Sequence, residues 1–512
     1  MKSSLPVAAV AALLIHAAHA DVKMPGIFGD HMVLQRDMPL RIWGDADPGE
    51  MVTVSLTGRE KNTVADRSGK WMVTMGPLAP SEKPLELRIS GKNQIVFQDV
   101  LVGDVWLCAG QSNMMWPLGK AENAVEALST ADHPGLRFFK VDGRVALDPA
   151  PDCAGKWNIC SPDSKPLRAF SATAYFFGRE IHSSQKVPIG LIGSYWGGSP
   201  VQAWTSANGL RSEPIARNYV AELEKTKADL GDLKLAYQTK TLPDWESDLA
   251  AWKARGLKSG KPRKPVVPDQ NFRLPTVLFN GMIHPLVRFG IKGVIWYQGE
   301  GNAEGPANAG KGREYARLFA ALIKDWRTHW DEGSFPFLFV QLPGYNFPGD
   351  EWVQVRESQH RVLALPNTGM AVTIDIGEKS NIHPKNKMDV GARLAAVARK
   401  IVYGEDIAYS GPTFLKMESA NGKAVLSFGH SEGGLTTKPP GGRLGAFEVA
   451  GQDGVFTVAQ ATIVGDAVVV SSARVPDPVA VRYAWSAWPD PPANLYNHAG
   501  FPAVPFHTAN DP

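Results

Sequence analysis

The feature that most constrains this chain is a largely apolar run that ends in a turn containing a serine. Val100–Cys108 is typical of a buried strand, and small and polar residues follow it as far as Ser112. In an open α/β sheet, the turn after a parallel strand lies at the carboxyl edge, where such sheets present their chemistry. A helix that begins there directs its unpaired N–H groups at the serine and favours a developing negative charge. Ser112 is therefore a candidate nucleophile, and its alternative role is to cap that helix.

The region from about 100 to 405 alternates short apolar runs with stretches of helical periodicity. This pattern is typical of βαβ units and a parallel sheet. It predicts strands near 101–108, 136–141, 189–195, 291–298, 335–342 and 369–375. It predicts helices near 170–184, 313–330, 351–364 and 389–403. An insertion at about 206–275 begins charged and helical in pattern and ends in a basic, proline-rich loop.

Two β-rich units flank this region, at 21–99 and at 406–512. Short apolar runs with turn residues between them mark both units, and the alternation is clear in Met51–Leu56. The second unit ends in an aromatic and proline-rich stretch, Arg482–Phe506. A chain of 512 residues has room for such an organisation, since domains average about 100–200 residues.

The first twenty residues predict export. Met1–Ala20 has a lysine, then an apolar run, then a small-x-small ending, which is typical of a signal peptide. We expect a mature chain from Asp21, periplasmic or extracellular. No later stretch has about 18 consecutive apolar residues, so no membrane span is predicted. The net charge of +3 and the lack of a basic stripe argue against a nucleic-acid partner.

Three cysteines are present. In an oxidising compartment, Cys153 and Cys160 either close a small disulfide ring or remain free thiols. Cys108 lies in the predicted strand before Ser112, where a small buried side chain suits it better than a nucleophilic role. Neither a metal nor a cofactor is expected, because the sequence has no H-E-x-x-H motif and no Cys/His cluster.

Hydrolysis by a serine also needs donors for the oxyanion, and two other strand ends offer them. Gly197 and Gly198 follow the strand at 189–195, and glycine lets a bare N–H approach a substrate oxygen. An ordinary tight turn is the alternative explanation. Gln298, Glu300 and Asn302 follow the strand at 291–298. Amides at a strand end donate to an oxyanion or anchor a sugar hydroxyl, while Glu300 either orients a histidine or is a simple loop acid.

His383 is the candidate general base, because the ordinary pKa of imidazole lies near neutral pH. It lies in a polar loop with Asn381, after a strand that ends at Asp375. The alternative is a loop histidine bound to the main chain. The nearest rival is His284, which also precedes a proline.

Seven stretches together resemble the sialate O-acetylesterase family, secreted carbohydrate esterases of the SGNH-hydrolase class. They are FGDHMVLQRDMPLRIWG (28–44), LCAGQSNMMWP (107–117), IGLIGSYWGGSPVQAW (189–204), LFNGMIHPL (278–286), IKGVIWYQGEGNA (291–303), SNIHPKNKMDVGARL (380–394) and RYAWSAWPDPPANLYN (482–497). They spread over nearly the whole predicted mature chain, in the order that the family shows.

The resemblance implies a flavodoxin-like, three-layer α/β/α domain of SGNH type with β-sandwich or jelly-roll-like accessory regions. It implies an esterase that removes acetyl groups from O-acetylated sialic acid or from acetylated plant-type polysaccharide, through an acetyl-enzyme intermediate. The site residues implied are Ser112 as nucleophile, His383 as base, an oxyanion hole of Ser112, Gly198 and Gln298 (or Gly197 and Asn302), and Asn381, Glu300, Gln111 and Asn113 as supporting or substrate-contacting residues.

The sequence departs from the family at one position. SGNH enzymes commonly place an aspartate two or three residues before the histidine, where this chain has Asn381 and Ser380. Asn381, Glu300 or a backbone carbonyl is then left to orient His383, so a dyad and a Ser-His-Asn arrangement both fit. An uncharged partner stabilises imidazolium less than a carboxylate does.

Two alternatives to a carbohydrate esterase are a non-catalytic binding protein and a lipase. A non-catalytic carbohydrate-binding protein is an alternative, because β units and 15 tryptophans suit sugar stacking. The presence of both Ser112 and His383 counts against it. A lipase would need a long apolar groove for an acyl chain, which no stretch of the sequence indicates.

Overall fold

The computed structural model describes residues 21–303 and 312–508. The predicted signal peptide, Met1–Ala20, lies outside the described residues. The strands of the first unit and the long strand that follows are β1 Val33–Gln35, β2 Leu40–Asp45, β3 Met51–Leu56, β4 Arg59–Val64, β5 Lys70–Met75, β6 Ser81–Ser90 and β7 Gln94–Gly110.

The described residues of the α/β region form six further strands and twelve α-helices. The strands are β8 His133–Lys140, β9 Trp157–Cys160, β10 Ile189–Tyr195, β11 Gly293–Tyr297, β12 Phe337–Val340 and β13 Thr368–Ala371. The helices are α1 Ser112–Met115, α2 Ala124–Ser129, α3 Lys165–Ala169, α4 Ala172–Gln185, α5 Ala207–Arg211, α6 Arg217–Ala228, α7 Leu230–Ala236, α8 Leu242–Ala254, α9 Glu300–Ala303, α10 Tyr315–Trp330, α11 Glu351–Arg361 and α12 Met388–Ile401. All six predicted strands and all four predicted helices are confirmed.

Strand β7 lies inside the central sheet, with β10 on one side and β11 on the other. Across the sheet the order is β10, β7, β11, β12, β13, and all neighbouring pairs are parallel. Numbered along the chain this is 2-1-3-4-5, the flavodoxin-like order. β8 extends the sheet beyond β10 in parallel, and β9 closes that edge antiparallel. The carboxyl end of β7 is therefore the switch point of the sheet, where ligands bind in folds of this type.

Helices cover both faces of this sheet. Side chains alternate along β7, so that Trp106 and Cys108 enter one apolar core while Leu107 and Ala109 enter another. Helices α4 and α12 pack against each other over the first core, and α10 covers the second. The region is therefore a three-layer α/β/α arrangement.

β7 also connects the first β unit to the α/β sheet. It is 17 residues long. Its first half pairs antiparallel with β6, and its second half pairs with β10 and β11. The change of sequence pattern near residue 100 thus falls inside one continuous strand. It reflects burial, because the strand is partly exposed at its start and fully buried from Val100 onward.

The last part of the chain folds into small antiparallel sheets. Its strands are β14 Thr413–Ala420, β15 Lys423–Gly429, β16 Leu435–Thr437, β17 Phe447–Ala450, β18 Thr457–Val458, β19 Gln460–Val464, β20 Ala467–Ser471, β21 Ala480–Tyr483, β22 Leu495–Asn497 and β23 Phe506–His507. Two sheets have four strands each, and β16 pairs with β22 alone. This unit contacts the α/β domain through a hydrogen bond from the Tyr496 hydroxyl to Asp375 Oδ2 at 2.8 Å.

The insertion at about 206–275 is helical, as predicted, and contains α5 to α8. Across residues 21–303 and 312–508, no helix has both the length and the apolar character that crossing a bilayer requires.

The three cysteines are free, buried thiols. Cys153 and Cys160, for which a disulfide was one alternative, belong to separate apolar cores. Burial raises the pKa of each of these two thiols to about 12. Burial also raises the pKa of Cys108, as expected for a structural residue.

Candidate active site

Ser112 lies at the carboxyl end of the central strand, after a position that requires glycine. Gly110 has a φ of +140°, and a Cβ atom there would lie 2.2 Å from the carbonyl oxygen of Tyr297. Gln111 donates its main-chain N–H to that same oxygen at 2.9 Å. Helix α1 then begins at Ser112. The turn is therefore held against the end of β11, and Ser112 lies at the switch point of the sheet.

Main-chain N–H groups near Ser112 are available to a ligand. A Cβ atom added to Gly197 would lie 3.5 Å from the Ser112 Cβ, so this glycine lies beside the serine. In the described part of the chain, the N–H groups of Ser112, Gly197 and Gly198 donate to no protein acceptor. Gly198 has a φ of +70°, which glycine adopts without strain. Unpaired N–H donors beside a serine are what an oxyanion requires.

A buried polar cluster joins the turn at Ser112 to two other strand ends. Asn113 Nδ2 donates to Glu300 Oε1 at 2.5 Å and to the carbonyl oxygen of Ile382 at 2.9 Å. Asn113 Oδ1 accepts a hydrogen bond from Lys387 Nζ at 2.6 Å. Glu300 follows β11, while Ile382 and Lys387 follow β13. Asn113 therefore fixes the distance between the serine turn and the loop that carries the candidate base.

Gln111 makes a second connection between the serine turn and the end of β11. Its Oε1 accepts hydrogen bonds from the main-chain N–H groups of Gly301 at 2.9 Å and Gly299 at 3.4 Å. A Cβ atom on Gly301 would lie 2.5 Å from the Ser199 carbonyl oxygen, so this approach also requires glycine. Gln111 and Asn113 thus position the site from inside the protein.

Lys387 lies in the buried cluster and was not among the site residues predicted from the sequence. The residue is 1% exposed, and its Nζ lies 5.2 Å from the centre of the Tyr297 ring. Burial lowers the pKa of Lys387 to about 7, although the negative charge of Glu300 acts in the opposite direction. Its sequence context, KNKMDV, is that of an exposed helix start. No signal in the sequence marks this lysine, because its hydrogen-bond partner Asn113 is 274 positions away.

His383 lies next to this cluster, with its ring stacked on Trp116. The ring centres are 5.3 Å apart and the planes differ by 20°. Burial lowers the pKa of His383, and the positive charge of Lys387 adds to this effect. A lowered pKa keeps the imidazole neutral at neutral pH, the form that accepts a proton. Within the described residues the ring has no hydrogen bond to the Ser112 hydroxyl, a contact that often tightens only in the substrate complex.

Asn381 holds the main chain of the histidine loop and not the imidazole. Its Oδ1 accepts from the His383 N–H at 3.0 Å, and its Nδ2 donates to the His383 carbonyl oxygen and to Glu378 Oε2, both at 2.9 Å. Glu300 contacts Asn113, as described above. Asn381 therefore positions the loop, while the imidazole itself stacks on Trp116.

Gln298 and Asn302 differ in what they can offer a substrate. Gln298 is fully buried, and its Nε2 donates to the Ser199 carbonyl oxygen at 3.0 Å and to Asn302 Oδ1 at 2.8 Å. Its Oε1 accepts from the Tyr315 hydroxyl at 2.8 Å. Both amide hydrogens of Gln298 are thus used inside the protein. Asn302 donates one hydrogen, to Gln202 Oε1 at 3.1 Å, and its other hydrogen has no acceptor among residues 21–303 and 312–508. The expectation that Gln298 is the oxyanion donor therefore conflicts with its contacts, and Asn302 is the better candidate.

Two other residues have structural partners. His284 Nδ1 lies 2.9 Å from the carbonyl oxygen of Ala150, as in the main-chain-bound role of a loop histidine. Asp375 binds the Arg393 guanidinium through both oxygens, at 2.6 and 2.7 Å. Among residues 21–303 and 312–508, no group of three His, Cys, Asp or Glu side chains is arranged to hold a metal ion.

Known proteins align with almost the whole of this chain. A family model described as carbohydrate esterase, sialic acid-specific acetylesterase matches residues 273–400, which include Asn302, His383 and Lys387. The sialate O-acetylesterase of Mus musculus is 30% identical over 546 residues, covering 96% of this chain and 95% of that protein. The Homo sapiens sialate O-acetylesterase is 31% identical over 438 residues, covering 77% and 74%.

A solved structure extends this likeness to the fold. A carbohydrate acetylesterase of Xanthomonas citri has a TM-score of 0.80 and 38% sequence identity, covering 96% of this chain and 100% of that one. The sequence resemblance is thus confirmed by proteins that align with 77–96% of this chain. On this evidence the chain belongs to the sialate O-acetylesterase family of carbohydrate esterases.

Proposed function

We propose that this protein hydrolyses acetyl esters on a carbohydrate, with Ser112 as nucleophile and His383 as general base. The observation that carries the proposal is the 2.9 Å hydrogen bond from Asn113 to the Ile382 carbonyl oxygen. It joins the residue after Ser112 to the residue before His383. A Cβ atom on Gly197 would lie 3.5 Å from the Ser112 Cβ, which supports the N–H groups of that turn as donors to the oxyanion. The related proteins are named as acetylesterases that act on sialic acid or carbohydrate, which supports an acetyl ester of a sugar as the substrate.

In the first half of the reaction, Ser112 Oγ attacks the acetyl carbonyl carbon while His383 takes the hydroxyl proton. The carbonyl oxygen becomes an oxyanion, which receives N–H groups from Ser112, from the Gly197–Gly198 turn and from the Asn302 side chain. The bond between the acetyl carbon and the sugar oxygen then breaks, and that oxygen leaves with the proton from His383. Water attacks the acetyl-enzyme with His383 again as base, which releases acetate and restores the serine.

We assign the catalytic domain to the SGNH type on two grounds. The strand order around β7 is 2-1-3-4-5, and the four candidate blocks follow β7, β10, β11 and β13 at one edge of the sheet. The sequence departs from that type at Asn381, two residues before His383, where SGNH enzymes commonly have an aspartate. Because Asn381 binds main chain, we propose a Ser112–His383 dyad. The two flanking β units are then accessory regions of β-sandwich or jelly-roll kind.

Replacing Asn302 with aspartate should lower kcat for a small acetyl ester by about 10²–10³-fold, the usual effect of losing one oxyanion donor. Aspartate keeps an oxygen to accept from the Val201 N–H, which lies 2.8 Å from Asn302 Oδ1. It removes the N–H that would reach the oxyanion. Steady-state kinetics with an aryl acetate measures the effect. A variant that retains kcat within a few-fold of wild type would remove Asn302 from the oxyanion hole.

The substrate is an O-acetylated sugar, and two classes fit the family: O-acetylated sialic acid and acetylated plant-type polysaccharide. A panel of both, scored by released acetate with the Ser112→Ala variant as blank, tests the proposed function. Release from neither class, under conditions where the protein is folded, would contradict it.

We also propose that the protein is exported and that the mature chain begins at Asp21. The support is the sequence of Met1–Ala20, with its lysine, apolar run and small-x-small ending. Amino-terminal sequencing of the protein recovered outside the cytoplasm should read DVKMP. A protein there that still begins at Met1 would disprove the cleavage.

A further inference from the structure

We propose that the last β unit carries a sugar-binding subsite, formed by the two tryptophans of the segment Trp485–Pro491, which binds neutral pyranose units next to the acetylated one. The inference rests on the proposed function, because it concerns how the remainder of the substrate is held. The segment belongs to the last of the sequence stretches that resemble the family, and the reaction described above uses none of its residues.

A cavity of about 580 Å³ lies at this segment. Its walls come from three parts of the unit, at 443–448, 458–459 and 484–491. Small-molecule sites in proteins have volumes of about 300–1,000 Å³, so the cavity has the size of a site for a few sugar units. Trp485 and Trp488 are both half-buried and both line it.

Both indole rings are held in place and keep a free polar edge. The Trp485 ring packs on His507 with centres 4.4 Å apart. Trp488 lies against the main chain of Gly344, where an added Cβ would be 3.2 Å from the indole. In the described part of the chain, neither indole N–H donates to another residue. A fixed apolar ring with an available N–H suits the C–H face and the hydroxyls of a pyranose.

The cavity is connected to the loop that carries His383. The main-chain N–H of Tyr345 donates to the Ala487 carbonyl oxygen at 2.9 Å, and that of Asn346 donates to the Lys379 carbonyl oxygen at 3.1 Å. Lys379 lies four residues before His383 in the sequence. Residues 343–347 therefore join the tryptophan segment to the histidine loop. Residues 343–347 follow β12 and the histidine loop follows β13, so these two segments lie at the carboxyl edge of the central sheet.

The charges around the cavity favour neutral sugar units. Glu448 is bound by the Arg482 guanidinium at 2.7 and 3.2 Å. Asp490 lies 4.0 Å from Lys379 Nζ. Both lining carboxylates thus have basic neighbours. Arg443 is exposed at the rim, where solvent screens its charge. Stacking on the tryptophans is then the main source of binding.

The test compares the Trp488→Ala variant with Trp252→Ala. Trp252 is a partly exposed tryptophan of the helical insertion, outside the proposed subsite. Calorimetry with unacetylated xylotetraose and cellotetraose measures binding without turnover. At least one probe should bind wild type and Trp252→Ala equally, and Trp488→Ala at least about tenfold more weakly, which corresponds to roughly 1.4 kcal/mol. Trp488→Phe, which keeps a ring, should bind with intermediate affinity.

A second readout is the ratio of kcat/KM for an acetylated oligosaccharide to kcat/KM for an aryl acetate. The ratio should fall about tenfold in Trp488→Ala and stay constant in Trp252→Ala. Equal binding by all variants, or no binding of either probe to wild type, would overturn the subsite. A loss of binding in Arg443→Gln alone would replace stacking by a charge contact and would also overturn it. Because the binding assay needs no turnover, it decides the subsite even if the protein releases no acetate from any glycan.

Discussion

Ser112→Ala should lower kcat for an acetyl ester by roughly five orders of magnitude or more, the size of effect that removing a catalytic serine produces. Without the hydroxyl no acetyl-enzyme forms, and what remains is catalysis by the oxyanion donors and by binding alone. The fold should be unaffected. Within the described residues the Ser112 hydroxyl makes no hydrogen bond, so its removal leaves no buried partner unpaired. The midpoint of thermal unfolding should therefore stay close to that of wild type.

The matched control is Ser129→Ala. Ser129 is an exposed serine at the end of α2, and its hydroxyl donates to the Glu126 carbonyl oxygen at 3.0 Å. This variant should keep wild-type kcat. Mass spectrometry of wild type quenched during turnover should find an acetyl group on the peptide that contains Ser112. Substantial activity in Ser112→Ala, or an acetyl group on a different peptide, would show that another residue is the nucleophile.

The sequence predicted the parts of this fold that depend on local pattern. The six strands and four helices follow from short apolar runs and helical periodicity, which are properties of neighbouring residues. Ser112, Gly197 and His383 were predicted because each follows a strand, and parallel strands bring their carboxyl ends to one edge. The family resemblance drew on the same blocks and was confirmed by relatives that match over nearly the full length.

The parts that the sequence did not reveal depend on contacts between distant positions. Lys387 has the sequence context of a solvated lysine, yet it is buried and donates to Asn113 at another strand end. Gln298 has the same chemistry as Asn302, but both of its amide hydrogens are donated inside the protein, to the Ser199 carbonyl oxygen and to Asn302 Oδ1. Asn381 occupies the place of the usual aspartate, yet it binds the main chain of its own loop. No local pattern encodes which partner a buried amide finds.

His383→Ala should lower kcat by several orders of magnitude, because a serine hydroxyl is a weak nucleophile without a neighbouring base. Added imidazole should restore part of the activity if the lost group accepts a proton, whereas a merely structural role would not respond to it. His284→Ala is the control, since that ring lies beside the Ala150 carbonyl oxygen. Near-wild-type activity in His383→Ala would exclude it as the base, and the dyad would be wrong.

The pH dependence of kcat/KM tests the electrostatics of the same site. A general base acts in its neutral form, so activity is lost as the pH falls through the pKa of His383. Burial and the charge of Lys387 lower that pKa from its ordinary value of 6.5, so the acid limb of the profile should have its midpoint below 6.5. Lys387→Met removes the positive charge that disfavours imidazolium, and the midpoint should then move to higher pH.

Lys385→Met is the matched control, because Lys385 is exposed on the same loop and does not belong to the buried cluster. If the two variants share the wild-type midpoint, the charge of Lys387 does not act on His383. If the midpoint moves only in Lys387→Met, the buried lysine sets the acid limit at which the enzyme works.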